Sequence, residues 1–260
     1  MRKTILALTF SAGAWLGLAA GAQAELPATI KVGTEGAYAP FNFVDEQGQP
    51  QGFEIDLANA LCEKMAIKCE FVVQDWDGII PGLLAKKYHA IIASLYITEE
   101  RRQQIAFSDK YYQTPGRFVV AKDSTIEITP EALAGKAIGT QRATSFERFL
   151  RHQFPQADIR VYATFDEAYL DLEAGRVDAL VGDVVAVSEA FLKTDAGANF
   201  EFRGPSYSGK EWFGEGAGVG LRKDDTELLE AFNTAIRAVR DDGSYEALIK
   251  KWFGFDVYGE

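Results

Sequence analysis

The sequence is poor in the side chains that bind metals. Only two cysteines and two histidines occur among its 260 residues, and neither His89 nor His152 stands at a metal-ligand spacing from Cys62 or Cys69. The two cysteines also lack the Cys-x-x-Cys spacing that is typical of redox-active pairs. In an exported protein such an isolated pair favours a structural disulfide that joins a predicted helix to a predicted strand. We therefore expect a Cys62–Cys69 disulfide, no metal site and no cofactor.

Positive charge is also scarce. The chain has 27 Lys and Arg against 38 Asp and Glu, so its formal net charge is −11 at pH 7. Nucleic acids and anionic membranes attract basic proteins, so this balance argues against either as a partner and mildly favours a cationic ligand. With 47% apolar residues, the chain can form the cores of two lobes of roughly 100 residues each.

Long apolar runs are missing after Glu25, where none reaches the roughly 18 residues that a transmembrane helix needs. Before that point, Met1–Lys3 is a short basic segment, residues 5–20 are apolar, and Ala22–Ala24 has the small-x-small form of a signal-peptidase site. The alternative, a membrane anchor, is disfavoured because the apolar stretch is short and rich in Gly and Ala. We predict a signal peptide at residues 1–24, cleavage after Ala24 and export to the periplasm.

Short β-rich runs alternate with helical patterns along the rest of the chain. This alternation indicates an α/β protein in which parallel strands are joined by crossover helices. Predicted strands cover residues 30–34, 69–73, 90–94, 117–121, 137–140, 159–162, 179–181 and 218–221. Predicted helices cover residues 54–65, 78–86, 145–152, 165–173 and 226–240, with a last one from an N-cap at Ser244 to Trp252.

Several motifs are more specific than this pattern. An aromatic strand end at residues 38–43 precedes Gly52-Phe-Glu-Ile-Asp-Leu57, which opens an amphipathic helix. Residues 97–101 read Ile-Thr-Glu-Glu-Arg, and residues 106–112 read Ala-Phe-Ser-Asp-Lys-Tyr-Tyr. Together with the chain ending from Trp252, these motifs resemble the polar amino-acid-binding proteins of bacterial ABC importers, which form solute-binding protein family 3. Within that family the nearest pattern is that of the lysine/arginine/ornithine and histidine binding proteins.

The resemblance implies a two-lobed periplasmic binding protein fold of the α/β class. Each lobe is expected to be a mixed, mostly parallel sheet flanked by helices, and two crossing strands are expected to form the hinge. Lobe 1 would comprise residues 25–112 plus 215–260, and lobe 2 residues 116–210. The ligand would lie in the cleft between the lobes.

Three candidate site residues match those that hold the backbone of a bound amino acid. Arg101 follows a predicted N-cap, Thr98, near a helix start that disfavours a cation unless an anion binds there; the alternative is a surface Arg paired with a Glu. Thr144 and Ser145 lie at the start of a helix whose free N–H groups suit the same anion; the alternative is a simple N-cap. Asp183 ends a strand, where open α/β sheets place ligands, or it caps the next helix. The resemblance implies that Arg101 binds the ligand α-carboxylate and Asp183 its α-ammonium, and we expect the helix start at Ser145 to bind the same carboxylate.

A second group of residues matches the part of the family's pocket that holds the ligand side chain. Tyr38 and Trp76 match its aromatic walls, and an aromatic face favours a cation by about 0.5 to 2 kcal/mol. Trp76 has an aspartate on either side, which predicts an exposed turn. Glu35 matches the acidic residue that meets the distal amine of a cationic amino acid. Gln141 borders the same region.

Two departures from the family pattern bear on the ligand. Where the relatives read Ser-Ser-x-Ser, the segment that starts at Ala93 reads Ala-Ser-Leu-Tyr. We expect Ala93, Ser94 and Tyr96 to line the site, with a phenol in place of a small hydroxyl. His89 replaces a usual Asp and is expected to be a structural variation rather than a catalytic base. Arg142, beside the pocket, is expected to oppose a cation or to bind a second carboxylate.

The leading hypothesis is the solute-binding component of an ABC importer. Its lobes close on a small-molecule ligand, a cationic L-amino acid (arginine, lysine, ornithine or histidine), and the closed monomer docks on an inner-membrane permease with its ATPase. An opine-like derivative of arginine is the alternative ligand. An enzyme is the second class considered, because cyclohexadienyl dehydratases resemble this family, but the position of their proton-transfer Glu is Ala186 here. A sensor that signals to a separate partner is the third.

Overall fold

The computed structural model describes residues 26–259. The predicted signal peptide and its cleavage site lie outside this range. No helix of the described range is long and apolar enough to cross a membrane.

Strands of three sheets and the helices that flank them make up the framework. The strands are β1 (Thr29–Thr34), β2 (Ala37–Tyr38), β3 (Asn42–Val44), β4 (Pro50–Gln51), β5 (Lys68–Val73), β6 (Ala90–Ile91), β7 (Ala106–Tyr112), β8 (Gly116–Ala121), β9 (Ala137–Gln141), β10 (Asp158–Tyr162), β11 (Ala179–Asp183), β12 (Phe200–Tyr207) and β13 (Ala217–Leu221). The α-helices are α1 (Phe53–Lys64), α2 (Ile79–Leu84), α3 (Glu99–Arg102), α4 (Ser145–Gln153), α5 (Phe165–Glu173), α6 (Val184–Val187), α7 (Lys210–Phe213), α8 (Thr226–Asp241) and α9 (Ser244–Trp252).

Two five-stranded mixed sheets carry the fold. The first has the order β5-β1-β6-β13-β7, with β1 parallel to both neighbours and β13 antiparallel to both of its own. The second has the order β10-β9-β11-β8-β12, with β9 parallel to both neighbours and β8 antiparallel to both of its own. The chain passes from the first sheet to the second after β7 and returns after β12. The predicted α/β class with mixed sheets is confirmed, whereas the lobe boundaries stay a prediction.

The long helices bury the faces that their sequences predict. In α8 the apolar stripe of Leu228, Phe232, Ala235, Ile236 and Val239 is buried, whereas Leu229, which the helical spacing places in the same stripe, is half-buried. This helix packs against α1 and against β7 of the first sheet. Burial of these apolar faces against the sheets stabilises each layer of the fold.

The predicted disulfide between Cys62 and Cys69 is confirmed. It joins the last turn of α1 to β5, and the two Cα atoms lie 5.9 Å apart. Both cysteines are buried in the core between the helix and the first sheet.

Some predicted element bounds are wrong for local reasons. The strand expected at residues 90–94 ends at Ile91, because Ser94 adopts a positive φ of 52° and its N–H donates to the Glu54 carboxylate at 2.6 Å. The helix expected at residues 78–86 is limited to Ile79–Leu84 and follows a single 3-10 turn at Trp76–Gly78. Ser244 is the first residue of α9 rather than its N-cap; Gly243, with φ 83°, is the cap.

Strand β12 was not predicted, since it contains Gly204 and Pro205, two residues that weaken strands. The pairing of β12 with β8 shifts register between Arg203 and Tyr207, and Gly204 there has φ 74°. The strand end expected at residues 38–43 is in fact two short strands, β2 and β3, separated by a turn. Sequence pattern missed β4, because a strand of two residues is too short to show a period, and it gave residues 106–112, now β7, only as a family motif.

Candidate ligand-binding site

The predicted site residues meet in one cavity between the first-sheet and second-sheet elements, here called the inner cavity. Its wall contains every predicted site residue except Asp183. The lining residues are Glu35, Tyr38, Trp76, Ala93, Ser94, Tyr96, Arg101, Gln141, Thr144, Ser145, Phe146 and Phe165. Phe146 and Phe165 were not among the residues named from sequence.

Arg101 supplies a buried cation to this cavity. The short helix α3 positions it, because the Thr98 side chain caps that helix and accepts from the Arg101 N–H at 3.3 Å, as predicted. The guanidinium donates to the Tyr96 carbonyl oxygen at 3.0 Å and lies over the Trp76 ring, 5.2 Å from its centroid. Among residues 26–259 the ion pairs do not include Arg101, although it is only 9% exposed. The alternative of a surface Arg paired with a Glu is therefore wrong.

The electrostatics of this cation favour an anion beside it. Burial, and next the neighbouring Arg148, lower the pKa of Arg101 to about 10. A buried cation without a counter-ion is costly, and a carboxylate that binds it recovers part of that cost.

The start of helix α4 lies beside Arg101. The Thr144 side chain caps this helix by accepting from the Glu147 N–H at 3.2 Å, and Glu147 in turn accepts from the Ala143 N–H at 2.6 Å. Ser145 is the first helical residue and is buried in the cavity wall. The first N–H groups of a helix have no partner within it, so this end suits an anion held by Arg101.

Glu35 provides a carboxyl group to the same cavity. It is 6% exposed, and Gln141 donates a hydrogen bond to it from the second-sheet side. Burial raises the pKa of Glu35 from 4.5 to about 7, and the Gln141 hydrogen bond opposes part of this rise. Tyr38 and Phe165 lie nearby with ring centroids 5.5 Å apart. This end of the cavity therefore offers aromatic faces and a carboxyl group to a cation.

Trp76 closes over the cavity. Its indole N–H donates to the Ala143 carbonyl oxygen at 3.1 Å, across the boundary between the two sheet units. Its side chain is buried, so the exposed turn expected from the flanking aspartates is wrong for the indole. Those aspartates remain outside, and Asp77 accepts from Arg142 at 2.7 Å. Arg142 is thus engaged by a carboxylate of the protein at the rim.

Asp183 and Tyr96 form one hydrogen-bonded unit behind the cavity wall. Asp183 is fully buried and caps α6, accepting from the Val185 and Ala186 N–H groups. The Tyr96 phenol donates to the other carboxylate oxygen of Asp183 at 3.0 Å. Burial raises the pKa of Asp183, and the hydrogen bond from Thr114 lowers it.

His89 lies away from the cavity wall. Its Nδ1 accepts from the Lys31 backbone N–H at 2.9 Å, so it binds the backbone of strand β1 just before β6 begins. This contact agrees with the structural variation expected from sequence.

Glu54 is a buried polar residue that sequence reasoning missed as a support of the site. It accepts hydrogen bonds from Asn42 at 2.6 Å, from the Ser94 N–H at 2.6 Å, and from Tyr111. Burial raises its pKa, and hydrogen bonds, that of Tyr111 first, lower it. The available signal was an acidic residue enclosed by Phe53, Ile55 and Leu57 at the start of a buried helix.

A larger chamber adjoins the inner cavity on the outside of Trp76 and Arg101. This outer chamber has a volume of about 710 Å³, and its lining includes Arg148, Arg151 and Trp212. Arg148 donates to the Trp212 carbonyl oxygen at 2.6 Å and lies 3.4 Å from Glu100. Within the described range, no group of three or more His, Cys, Asp and Glu side chains is placed to hold a metal ion.

Two sheet units that enclose a polar cavity and are joined by two chain crossings have the architecture of solute receptors that close on a small molecule. Comparison with known proteins agrees. The chain belongs to the bacterial extracellular solute-binding proteins, family 3, whose family model matches residues 30–255.

Individual relatives in that family are similar over the whole chain. The lysine/arginine/ornithine-binding periplasmic protein of Escherichia coli K12 is 47% identical, with 100% of each chain covered. The histidine-binding periplasmic protein of the same organism is 46% identical, again with 100% of each chain covered. The solved structure of an ancestral arginine-binding protein bound to arginine is 37% identical with a TM-score of 0.81, and the match covers 88% of this chain and 99% of that one.

Proposed function

We propose that this chain is the periplasmic solute-binding component of an ABC importer and that it binds a cationic L-amino acid: arginine, lysine, ornithine or histidine. The observation that carries the proposal is Arg101, a buried guanidinium outside every ion pair formed within residues 26–259. A ligand carboxylate would pair with this guanidinium through two parallel hydrogen bonds. The names of the relatives, which refer to lysine, arginine, ornithine and histidine, support the same ligand class.

The distal end of the ligand would meet Glu35. A guanidinium or ammonium there would pair with the carboxylate and pack against Tyr38 and Trp76. Since Glu35 and Arg101 line one cavity, a single ligand with a negative and a positive end matches both charges.

Binding would close the cleft, because the ligand would contact both sheet units. Glu35 and Arg101 belong to the segments around the first sheet, whereas Gln141 and Ser145 belong to the second. A ligand that contacts both sets stabilises the closed conformation in proportion to the contacts that only this form makes. In this proposal residues 25–112 plus 215–260 move as lobe 1 and residues 116–210 as lobe 2.

The cellular setting of the proposal follows from the family. Export after cleavage at Ala24 would place a monomer in the periplasm. There the closed form would deliver its ligand to an inner-membrane permease with its ATPase.

Replacement of Arg101 tests the proposal. We expect Arg101→Ala to weaken L-arginine binding by roughly a hundredfold or more, because it removes the buried partner of the carboxylate. Isothermal titration calorimetry measures this, with Arg102→Ala as the matched control. Arg102 is the next residue but forms an exposed ion pair with Glu215 at 3.1 Å. An Arg101→Ala affinity within threefold of the wild type would overturn the proposal.

The outer chamber favours the alternative ligand, an opine-like derivative of arginine. It adjoins Arg101 and carries Arg148 and Arg151, which pair with Glu100 at 3.4 Å and with Glu147 at 2.7 Å in this structure and could exchange these partners for a second ligand carboxylate. Competition between octopine and L-arginine distinguishes the two ligands, since only the derivative reaches both chambers.

We further propose that the chain has no dehydratase activity. Position 186, where the related dehydratases carry a proton-transfer Glu, holds a buried alanine. Turnover of prephenate or arogenate, followed by ultraviolet absorbance, would contradict this.

A further inference from the structure

Asp183 has no acceptor position left for a ligand. Its Oδ1 accepts from the backbone N–H groups of Val185 at 2.8 Å and Ala186 at 3.1 Å. Its Oδ2 accepts from the Thr114 hydroxyl and, at 3.0 Å, from the Tyr96 phenol. An ionised carboxylate offers about four lone-pair sites, so donors of the protein itself occupy all of them.

Tyr96 also covers Asp183 from the ligand side. Tyr96 lines the inner cavity, whereas Asp183 is 0% exposed and is not part of the cavity wall. Two aromatic edge contacts hold the Tyr96 ring in this position, with the centroids of Phe146 and Phe213 each 6.2 Å away. The phenol oxygen also lies 3.2 Å from the Thr114 carbonyl oxygen.

The phenol keeps its role as a donor. Burial, and next the negative charge of Asp183, raise the pKa of Tyr96 well above its usual range, so the proton stays on the phenol. At the same time the Tyr96 carbonyl oxygen accepts from the Arg101 guanidinium at 3.0 Å. Tyr96 thus contacts two groups of the expected site. Its carbonyl oxygen binds Arg101, which would bind the ligand carboxylate, and its phenol binds Asp183, which the family resemblance assigns to the ligand ammonium.

We propose that Tyr96 occupies the ammonium position of this pocket, so that the protein holds its ligand by the carboxylate and the distal cation without recognising an α-ammonium. This inference rests on the function proposed above. The ligand class is then a carboxylate with a distal cationic group, whose α-nitrogen is free, substituted or absent.

Paired titrations of the wild-type protein test the inference directly. L-Arginine is compared with δ-guanidinovalerate, which is arginine without its α-amine, and L-lysine with ε-aminocaproate. We expect the amine-free member of each pair to bind at least as tightly as the amino acid, since no acceptor of Asp183 is open to the amine and an ammonium buried without a partner is costly. Agmatine, which lacks the carboxylate, serves as the negative control and should not bind.

Two variants of Tyr96 distinguish the steric effect of its ring from the effect of the hydrogen bond that its phenol donates to Asp183. In Tyr96→Ser the shorter side chain uncovers Asp183, so we expect L-arginine to gain a preference on the order of tenfold or more over δ-guanidinovalerate. In Tyr96→Phe the ring still covers Asp183, so the preference should stay near the wild-type value.

The outcomes distinguish this inference from the proposed function. A tenfold or larger preference of the wild type for L-arginine over δ-guanidinovalerate would show that Tyr96 moves aside, and would overturn the inference while the proposed function stands. Failure of every cationic amino acid and both amine-free compounds to bind would overturn both. Binding of the amine-free compounds that is at least as tight as that of the amino acids, with a preference for L-arginine that appears only in Tyr96→Ser, is the result that supports it.

Discussion

At the scale of single residues, the protonation of Glu35 controls how the pocket receives a cation. Burial raises its pKa to about 7, so in the unliganded protein the carboxyl group is largely protonated below that pH. A cationic ligand requires the ionised form, and binding in this range therefore releases a proton.

We predict that L-arginine binds more tightly as pH rises from about 5 towards 7, and then levels off. Calorimetry in buffers of different ionisation enthalpy measures both the affinity and the released proton. Glu35→Gln should bind more weakly and lose this pH dependence, which separates Glu35 from the other buried carboxyl groups. A wild-type affinity that is constant over this range would contradict the prediction.

The same residue shows what sequence can and cannot predict at this scale. Glu35 and Arg101 were located from family motifs, and the structure brings both to one cavity. The bond between Tyr96 and Asp183 was not predicted, because it depends on a side-chain rotamer held by Phe146 and Phe213, which are distant in sequence.

At the scale of elements, Glu54 ties the start of helix α1 to the segment that carries Ser94. It accepts from the Ser94 N–H at 2.6 Å and from the Ser94 hydroxyl at 3.1 Å, and also from Tyr111 of strand β7. Ser94 lines the inner cavity. The helix start therefore positions the site as well as the core.

We predict that Glu54→Gln lowers the free energy of unfolding by about 2 to 3 kcal/mol, because an amide cannot accept all of these buried hydrogen bonds. Urea unfolding measures the difference. The matched control is Glu63→Gln, an exposed glutamate on the same helix, which should stay close to the wild type. A Glu54→Gln stability equal to that of the control would refute the structural role.

Elements differed in how well sequence predicted them, for physical reasons. Helix α8 was located because its sixteen residues repeat an apolar stripe several times. Strand β6 was overestimated, because the apolar run continues to Ala93 while the backbone leaves the sheet to reach Glu54. An apolar pattern indicates which residues are buried, and in this segment the residues stay buried after the pairing of strand β6 has ended.

At the scale of the whole molecule, polar contacts join the two sheet units on the rim of the cleft. Arg142 pairs with Asp77 at 2.7 Å, and Arg148 lies 3.4 Å from Glu100. These pairs are partly exposed, so each contributes little, in the range of about 0 to 1 kcal/mol. Both pairs cross the cleft, so any stabilisation that they give favours the conformation in which the two sheet units are in contact.

We predict that Asp77→Asn weakens L-arginine binding by roughly two- to fivefold at low ionic strength, because it removes a contact specific to the closed form. The effect should fade in high salt, where exposed ion pairs are screened. Asp224→Asn, an exposed aspartate in the turn before α8, is the control for the lost charge. A loss that is independent of salt would contradict a role for the ion pair in closure.

The fluorescence of Trp76, whose indole N–H donates a hydrogen bond to the Ala143 carbonyl oxygen, should report the closure of the cleft. This bond exists only while the two sheet units are in contact, and the indole beside it is buried. Opening of the cleft would expose the ring to water, so ligand addition should shift its emission to shorter wavelength. Trp76→Phe should remove most of this spectral change. The emission of Trp252, whose indole N–H donates a hydrogen bond to Asp56 at 2.7 Å, should be the same with and without ligand. Closure of the cleft should therefore be measurable by intrinsic tryptophan fluorescence, without an attached dye.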